Sequence, residues 1–217
     1  MITVGQAAFA RKTDDALLVL ACEGSEELYG DARLLALLSR ARRLEEFGGR
    51  RDEEIVLIEP PEVGARRVIL RGLGAAGRVE GETLRQAAGR AARRAQQMKR
   101  RGLSIAAPER GPLAAGEEPW RALLEGAFLG NHRVDRERRE REAEPLSALR
   151  LLVRPEAVPG ARRIAAEVEA ACGAQLLARD WVNLPANEKP PARLAARIAR
   201  EARRAGLAVE RLPEPAL

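Results

Sequence analysis

The sequence predicts an α/β protein built on a layered sheet. Short apolar runs of strand length alternate along the chain with longer segments in which apolar residues recur at helical spacing. Glycine or proline ends most of these segments. Hydrophobic residues make up 46% of the 217 positions and charged residues 32%, so the chain can bury a sizeable core.

A strand and a helix open this pattern. The apolar run 16–21 has the length of a strand. Leu34, Leu38 and Ala41 then recur on one helical face. Gly48-Gly49 is expected to end this helix, because glycine accepts the positive φ that often follows a helix end.

Two strands and a long helix come next. The run 54–59 predicts a strand that Pro60-Pro61 stops, and the run 67–71 predicts a strand that leads into a glycine turn. The helix that follows ends before Gly102. Its apolar face is predicted from residues three and four positions apart: Leu84, Ala87, Ala88, Ala91, Ala95 and Met98.

The same alternation continues in the second half of the chain. Strands are predicted at 103–107 and 148–153, with a helix over 118–128 between them. The charge run 133–142 mixes arginine with acidic residues and predicts a solvated connector, because exposed ion pairs contribute little net free energy.

A second long helix follows Pro159-Gly160, and the chain then breaks at 183–185 and at 190–191. The buried stripe of the long helix is predicted from residues four apart: Ile164, Val168, Cys172 and Leu176. The helix after the breaks has an apolar face formed by Leu194, Ala195, Ile198 and Ala202, and a strand is predicted at 207–209.

The break near residue 185 predicts a domain boundary. One helix and one strand after it cannot enclose a core, so we expect the chain to be the front part of a longer protein. The predicted organisation is an N-terminal α/β domain over 1–155, a linker helix and interdomain segment over 156–187, and the first elements of a truncated second domain over 188–217.

No segment predicts a membrane span or an export signal. No apolar run reaches the roughly 18 residues of a membrane helix, and the N-terminus lacks a basic stretch followed by an apolar one. We therefore expect a cytoplasmic protein with no membrane partner. Cys22 and Cys172 form no metal or redox motif.

The basic charge leaves two interpretations open. The formal net charge is +6, and nearly all the cations are arginines, which bind phosphate through paired hydrogen bonds. DNA is therefore a candidate partner, and solvated helix faces are the alternative. Aromatic residues are 3%, which disfavours a stacking platform for single strands. The candidate phosphate contacts are Arg85, Arg90, Arg93, Arg94 and Arg100.

A glycine-rich turn at 72–77 matches the dinucleotide-binding pattern G-x-G-x-x-G. Glu80 and Glu82 would repel a pyrophosphate at the following helix, so a tight structural turn is favoured. His132, the only histidine, has no serine-triad or zinc-ligand pattern around it. The residues thus predict no catalytic, cofactor-binding or metal-binding site within this chain.

The break region resembles the segment that joins the two domains of leucyl (cytosol) aminopeptidases, the M17-type metallopeptidases. Residues 178–187 read A-R-D-W-V-N-L-P-A-N, followed by Pro191, Leu194 and Ala195, and the family pattern is roughly A-R-D-x-V-N-x-P-x-N-x-x-x-P-x-x-L-A. The fixed positions of this interdomain segment are Asp180, Asn183, Pro185 and Asn187.

Two weaker matches lie upstream in the same order. Residues 68–74 resemble the family's strand-turn V-x-G-L-G, which makes the glycine turn structural. Residues 125–136 resemble E-G-x-x-L-G-x-Y-x-F-D, with His132 and Val134 in place of the aromatic residues. The resemblance therefore spans essentially the whole chain.

The resemblance implies a macro-domain-like mixed sheet flanked by helices, and a catalytic domain beyond it that holds two divalent metals, zinc or manganese. The family's metal-ligand motifs do not occur in this sequence. The implied role is therefore non-catalytic: packing on the catalytic C-terminal domain, shaping substrate access and supporting a homo-hexamer of a protein that removes N-terminal amino acids from peptides. The alternatives are DNA binding, as in some bacterial members, and nucleotide or ADP-ribose binding.

Overall fold

The computed structural model describes residues 1–9, 15–24, 28–44, 46–114, 116–133 and 144–212. The predicted charge run 133–142 lies outside these residues except for Arg133. None of the helices in the described ranges has both the length and the apolar character of a membrane span.

A six-stranded mixed sheet forms the centre of the fold in the described ranges. The strands are β1 Ile2–Gln6, β2 Leu17–Ala21, β3 Glu54–Ile58, β4 Arg67–Gly72, β5 Gly102–Ala106 and β6 Ala148–Val153. Their order is β1-β6-β5-β2-β4-β3, and every neighbouring pair is parallel except β3 with β4. All five residues of β2 are buried, as expected of a parallel strand covered on both faces.

Five helices accompany the sheet in the same ranges: α1 Ala32–Leu44, α2 Gly81–Gln97, α3 Glu118–Asn131, α4 Val158–Val182 and α5 Pro191–Arg204. The α/β class, the mixed sheet and its flanking helices confirm the predicted fold class. The buried residues of α2 include five of its six predicted face residues, and Met98 follows the helix. Ile164, Val168 and Cys172 of the predicted α4 stripe are also buried.

The structure differs from the prediction at both ends of the chain. Strand β1 was not predicted, and it pairs with β6 from Ile2 opposite Leu149 to Gln6 opposite Val153. Residues 207–209, which the structure describes, do not form the predicted strand. Gly206 has φ +80° and the Leu207 amide donates to the Ala202 carbonyl at 3.0 Å, so these residues close the end of α5 instead.

The chain divides into two compact units, Met1–Gly173 and Ala174–Leu217. The first unit holds the sheet with α1, α2, α3 and the first part of α4. The second holds the end of α4 and α5, and buries Leu184 and Ala199. The domain boundaries predicted at 155 and 187 concern the longer protein and stay predictions.

Candidate functional site

The first of the arginines predicted to contact phosphate is held by carboxylates of α3. Arg85 Nε donates to Glu125 Oε2 at 2.6 Å, and Arg85 Nη2 donates to Glu118 Oε1 at 3.0 Å. The hydrogen bond to Glu125 is the main cause of a raised pKa of the Arg85 guanidinium. This arginine therefore joins α2 to α3 and is already neutralised.

Two more of these arginines belong to an ion-pair network at the edge of the sheet, which we call the Arg71 cluster: Asp52, Glu54, Arg71, Arg90 and Arg94. Arg71, only 4% exposed, donates from Nη1 to Glu54 Oε2 at 2.5 Å, and its Nη2 lies 3.8 Å from Asp52 Oδ1. Arg94 Nε lies 3.2 Å from Glu54 Oε1, and Arg90 hydrogen-bonds Asp52. The two carboxylates are thus shared among three arginines.

The remaining two candidate arginines differ from each other. Arg100 Nη1 lies 3.2 Å from Asp15 Oδ1, and its Nε donates to the Met98 carbonyl at 2.8 Å. Arg93 is exposed, and its side chain has no hydrogen bond or ion pair with any described residue. A phosphate would therefore compete with a carboxylate at four of the five positions and meet a free guanidinium only at Arg93.

The glycine turn after β4 is filled by protein backbone. The amides of Gly72, Leu73 and Gly74 all donate to backbone carbonyls, those of Glu53, Ala21 and Gly49, at distances of 2.9–3.0 Å. A Cβ on Gly72 would lie 1.9 Å from the Arg50 carbonyl oxygen. These amides are not available to a pyrophosphate, and the contacts support the structural interpretation of the turn.

The segment E-G-x-x-L-G at 125–130 packs α3 against α2. A Cβ on Gly126 would lie 2.1 Å from the Arg85 carbonyl oxygen, and a Cβ on Gly130 would lie 2.5 Å from the Gly89 carbonyl oxygen. Glu125 adds its hydrogen bond to Arg85. The segment therefore allows an unusually close contact between two helices.

The predicted interdomain segment does not form one cluster of side chains. Asp180 lies in the last turn of α4, and the Asn183 amide donates to the Arg179 carbonyl at 3.0 Å just after it. Pro185 precedes a single 3₁₀ turn, and Asn187 lies exposed within that turn. The segment thus ends α4 and leads to α5, and its interdomain role stays a prediction.

Neither metal-binding nor thiol chemistry is apparent in the described residues. They contain no group of three or more His, Cys, Asp or Glu side chains that could hold a metal ion. Burial raises the pKa of the Cys172 thiol, which makes it a poor nucleophile. His132 directly follows α3.

Comparison with known proteins identifies the family. Residues 19–141 match the model of the cytosol aminopeptidase family, N-terminal domain. The chain belongs to this family. The match includes the glycine turn, all of α2 and α3, and the Arg71 cluster, so it covers most of the site described above.

Relatives along most of the chain carry the name of the same family. A probable cytosol aminopeptidase of Syntrophobacter fumaroxidans is 32% identical over 206 residues, which are 90% of this chain and 40% of that protein. One of Solibacter usitatus is 31% identical over 222 residues, which are all of this chain and 42% of that protein. The chain therefore spans about two fifths of the length of these curated relatives.

Solved structures share the fold. The bottromycin maturation enzyme BotP is 32% identical with a TM-score of 0.68 over 90% of this chain and 38% of that chain. A tomato leucine aminopeptidase mutant has a TM-score of 0.74 over 94% of this chain and 42% of that chain. Its 24% identity makes it evidence for the fold alone.

Proposed function

We propose that this chain is the non-catalytic N-terminal part of a leucyl aminopeptidase-like metallopeptidase, the whole of which removes N-terminal amino acids from peptides. The observation that carries the proposal is the family match over 19–141, which is followed in the expected order by the interdomain pattern at 178–187. Its work in the whole protein is to pack on the catalytic domain, shape substrate access and support a homo-hexamer in the cytoplasm.

Exposed apolar side chains of the second unit are an argument for a partner domain that covers them. Most large apolar side chains among the described residues are buried, but Val182, Ile198, Leu207 and Leu212 of this unit are exposed. Residues 188–217 are predicted to be the first elements of the catalytic domain. We therefore propose that the rest of that domain covers these side chains, since burying apolar surface is the main stabilising term in association.

The metal chemistry belongs to the partner domain in this proposal. Two divalent ions, zinc or manganese, would activate the water that attacks the peptide carbonyl. The described residues of this chain do not fit such ions, because they provide no cluster of three or more metal-binding side chains. No step of the reaction is therefore assigned to them.

A chimera tests the proposal. In the chimera this chain replaces the matching 40% of the Syntrophobacter relative and is fused to the remaining, catalytic part. We expect the chimera to hydrolyse leucine p-nitroanilide in the presence of manganese. Ile198→Asp should lower that activity by roughly tenfold or more, because it puts a charge where the catalytic domain is proposed to dock. The measurement is release of nitroaniline per unit of folded chimera.

Ala196→Asp is the matched control for this experiment. It adds the same charge at an exposed position about half a turn away on α5, and we expect it to leave the activity within about twofold. The 217-residue chain alone should release no nitroaniline. Metal-dependent release by the chain alone, or equal effects of the two substitutions, would refute the proposed role.

DNA binding is the second candidate, favoured by the net charge of +6 and by Arg93, whose guanidinium has no partner among the described residues. Because carboxylates already hold the other four arginines, we expect weak binding that falls only about threefold between about 50 mM and about 200 mM salt, as for a single phosphate contact. Fluorescence anisotropy of a labelled duplex measures it, with Arg93→Gln as the test variant and Arg162→Gln on α4 as the control. Tight binding at the higher salt, or binding unaffected by Arg93→Gln, would contradict this expectation.

Nucleotide or ADP-ribose binding gains no support from the glycine turn, whose amides at 72–74 are already hydrogen-bonded. The predicted likeness to macro domains stays a prediction. It would carry no ligand by itself, since one fold hosts many functions.

A further inference from the structure

The ladder between β2 and β5 ends before the two strands do. These neighbouring strands share two residue pairs, Leu17 opposite Ser104 and Leu18 opposite Ile105. Every other pair of neighbouring strands in the described sheet shares five. The shortest pairing in the sheet therefore lies at its centre, between the third and fourth strands of the order.

A tyrosine hydroxyl lies at the next position of this ladder. The Ser104 amide donates to the Ala16 carbonyl at 2.8 Å. Continued from this bond, a regular parallel ladder would join the Leu20 amide directly to the Ala106 carbonyl. Instead, the Tyr29 hydroxyl accepts from the Leu20 amide at 2.9 Å and donates to the Ala106 carbonyl oxygen at 3.3 Å. One hydroxyl thus takes the place of a direct hydrogen bond and separates the two strands.

The segment that carries Tyr29 is bound to the chain just after β5. The amides of Glu109 and Arg110 both donate to the Leu28 carbonyl, at 2.7 and 3.1 Å. The Gly30 amide donates to Glu109 Oε2 at 3.0 Å. Tyr29 is 1% exposed, and this burial raises the pKa of its phenol, so the hydroxyl keeps the proton that it donates. Backbone bonds on both sides of Tyr29 therefore hold its ring in place.

The gap that Tyr29 fills, which we call the β2–β5 crevice, lies at a switch point of the chain. From β2 the chain runs through α1 to β3 on one side of the gap, and from β5 it runs through α3 to β6 on the other side. Open α/β sheets bind ligands at the carboxyl ends of strands whose connections diverge in this way. Leu20 and Ala106 lie at the carboxyl ends of β2 and β5. Tyr29 therefore occupies the place where such a sheet would take a ligand.

We propose that the β2–β5 crevice is a binding site for a phenol ring, which the chain fills with its own Tyr29. The Leu20 amide and the Ala106 carbonyl provide one donor and one acceptor for a single hydroxyl, and the ring lies within the hydrophobic core. A ligand from solution would have to displace this side chain, so the crevice is closed by the protein itself. Its occupation by Tyr29 does not depend on the proposed function.

Removal of the ring tests the site by ligand rescue. Tyr29→Ala should lower Tm, and p-cresol, which has the structure of the tyrosine side chain, should bind in the space left. We expect about 3 mM p-cresol to raise the Tm of this variant by about 3 °C or more, with a Kd of about 0.3 mM. Neither p-cresol nor toluene should raise the Tm of the parent, whose crevice is filled.

Toluene at the same concentration distinguishes the hydroxyl from the ring. It leaves the Leu20 amide and the Ala106 carbonyl unpaired, so it should bind Tyr29→Ala roughly tenfold more weakly than p-cresol does. The expected rise in Tm is then about 1 °C. An unchanged Tm with p-cresol, or equal shifts with the two compounds, would overturn the proposal.

Phe47→Ala is the matched control for the rescue. Phe47 is also 1% exposed, and it has no hydroxyl whose partners a ligand would have to satisfy. In this variant toluene should raise Tm at least as much as p-cresol does. A preference for p-cresol in Phe47→Ala as well would show that the two backbone groups beside Tyr29 do not cause it, and would also overturn the proposal.

Tyr29→Phe tests the hydroxyl alone, because the ring and its packing remain. We expect the Leu20 amide to exchange its hydrogen roughly tenfold faster than in the parent, measured by NMR in deuterated water. The Leu18 amide, in the paired part of β2 and β5, is the internal reference. Unchanged exchange at Leu20 would show that its amide reaches the Ala106 carbonyl without the hydroxyl, which would contradict a site built around that group.

Discussion

Gly126→Ala is expected to lower the free energy of unfolding by about 3 kcal/mol, because the added methyl group has no space. A Cβ at this position would lie 2.1 Å from the carbonyl oxygen of Arg85. That oxygen belongs to the backbone of α2 and cannot rotate away, so the two helices must separate. Separation would also weaken the contact of Gly130 with Gly89 and the hydrogen bond from Arg85 to Glu125.

Gly173→Ala is the matched control, because it makes the same substitution within a helix where space is open. Gly173 lies in α4, and apart from its two chain neighbours and the backbone of its own helix turn no atom lies within 4 Å of its added Cβ. We expect a gain of about 0.5–1 kcal/mol there from the higher helix propensity of alanine. Thermal unfolding followed by circular dichroism compares the two, and Gly126→Ala should lower Tm by about 6–12 °C. A Tm equal to that of the parent would show that α2 and α3 are not packed through Gly126.

The elements that apolar patterning marks strongly could be predicted from the sequence. The run 16–21 became β2, and the alanine-rich face of Leu84 to Ala95 became the buried side of α2. Proline residues at 60 and 61 stop β3, and those at 190 and 191 start α5. In these segments the local pattern and the tertiary environment favour the same structure.

Two short segments near the chain ends could not be assigned from pattern alone. Strand β1 contains the β-branched residues Ile2, Thr3 and Val4, a signal that would have supported a strand. The strand with which it pairs, β6, lies far along the chain. The run 207–209 looks similar yet has no neighbouring strand among the described residues. A strand exists only with a partner for its backbone groups, and the sequence does not identify that partner.

For the charged residues of the site, too, the sequence does not identify the partner. The spacing of Arg85, Arg90 and Arg94 located them correctly on α2, away from its apolar face. Apart from Glu82, 3.8 Å from Arg85 on the same helix, their carboxylate partners lie far away in sequence, as with Arg85 and Glu125. Helix periodicity predicts on which face of the helix a residue lies, but not which side chains of other elements contact it. An exposed phosphate site and an ion-pair network therefore look alike in the sequence.

Glu54→Gln is expected to lower the free energy of unfolding by about 3 kcal/mol, because it leaves Arg71 buried without its main counter-charge. Arg71 is 4% exposed, and its bond to Glu54 at 2.5 Å is much closer than its 3.8 Å separation from Asp52. The substitution also removes the negative charge that lies 3.2 Å from Arg94 Nε. Urea unfolding measures the loss as a lower midpoint with an unchanged slope.

Comparing a buried ion pair with an exposed one tests whether burial of the charge causes the loss of stability. Glu156→Gln removes a carboxylate whose contact with Arg154 is at 3.4 Å between side chains 66% and 53% exposed, so its loss should be below about 1 kcal/mol. Arg71→Met combined with Glu54→Gln should recover much of the stability lost by Glu54→Gln alone, because the double variant no longer buries an unpaired charge. If the double variant is instead less stable than the single one, the packing of the Arg71 side chain, and not its charge, stabilises this edge of the sheet.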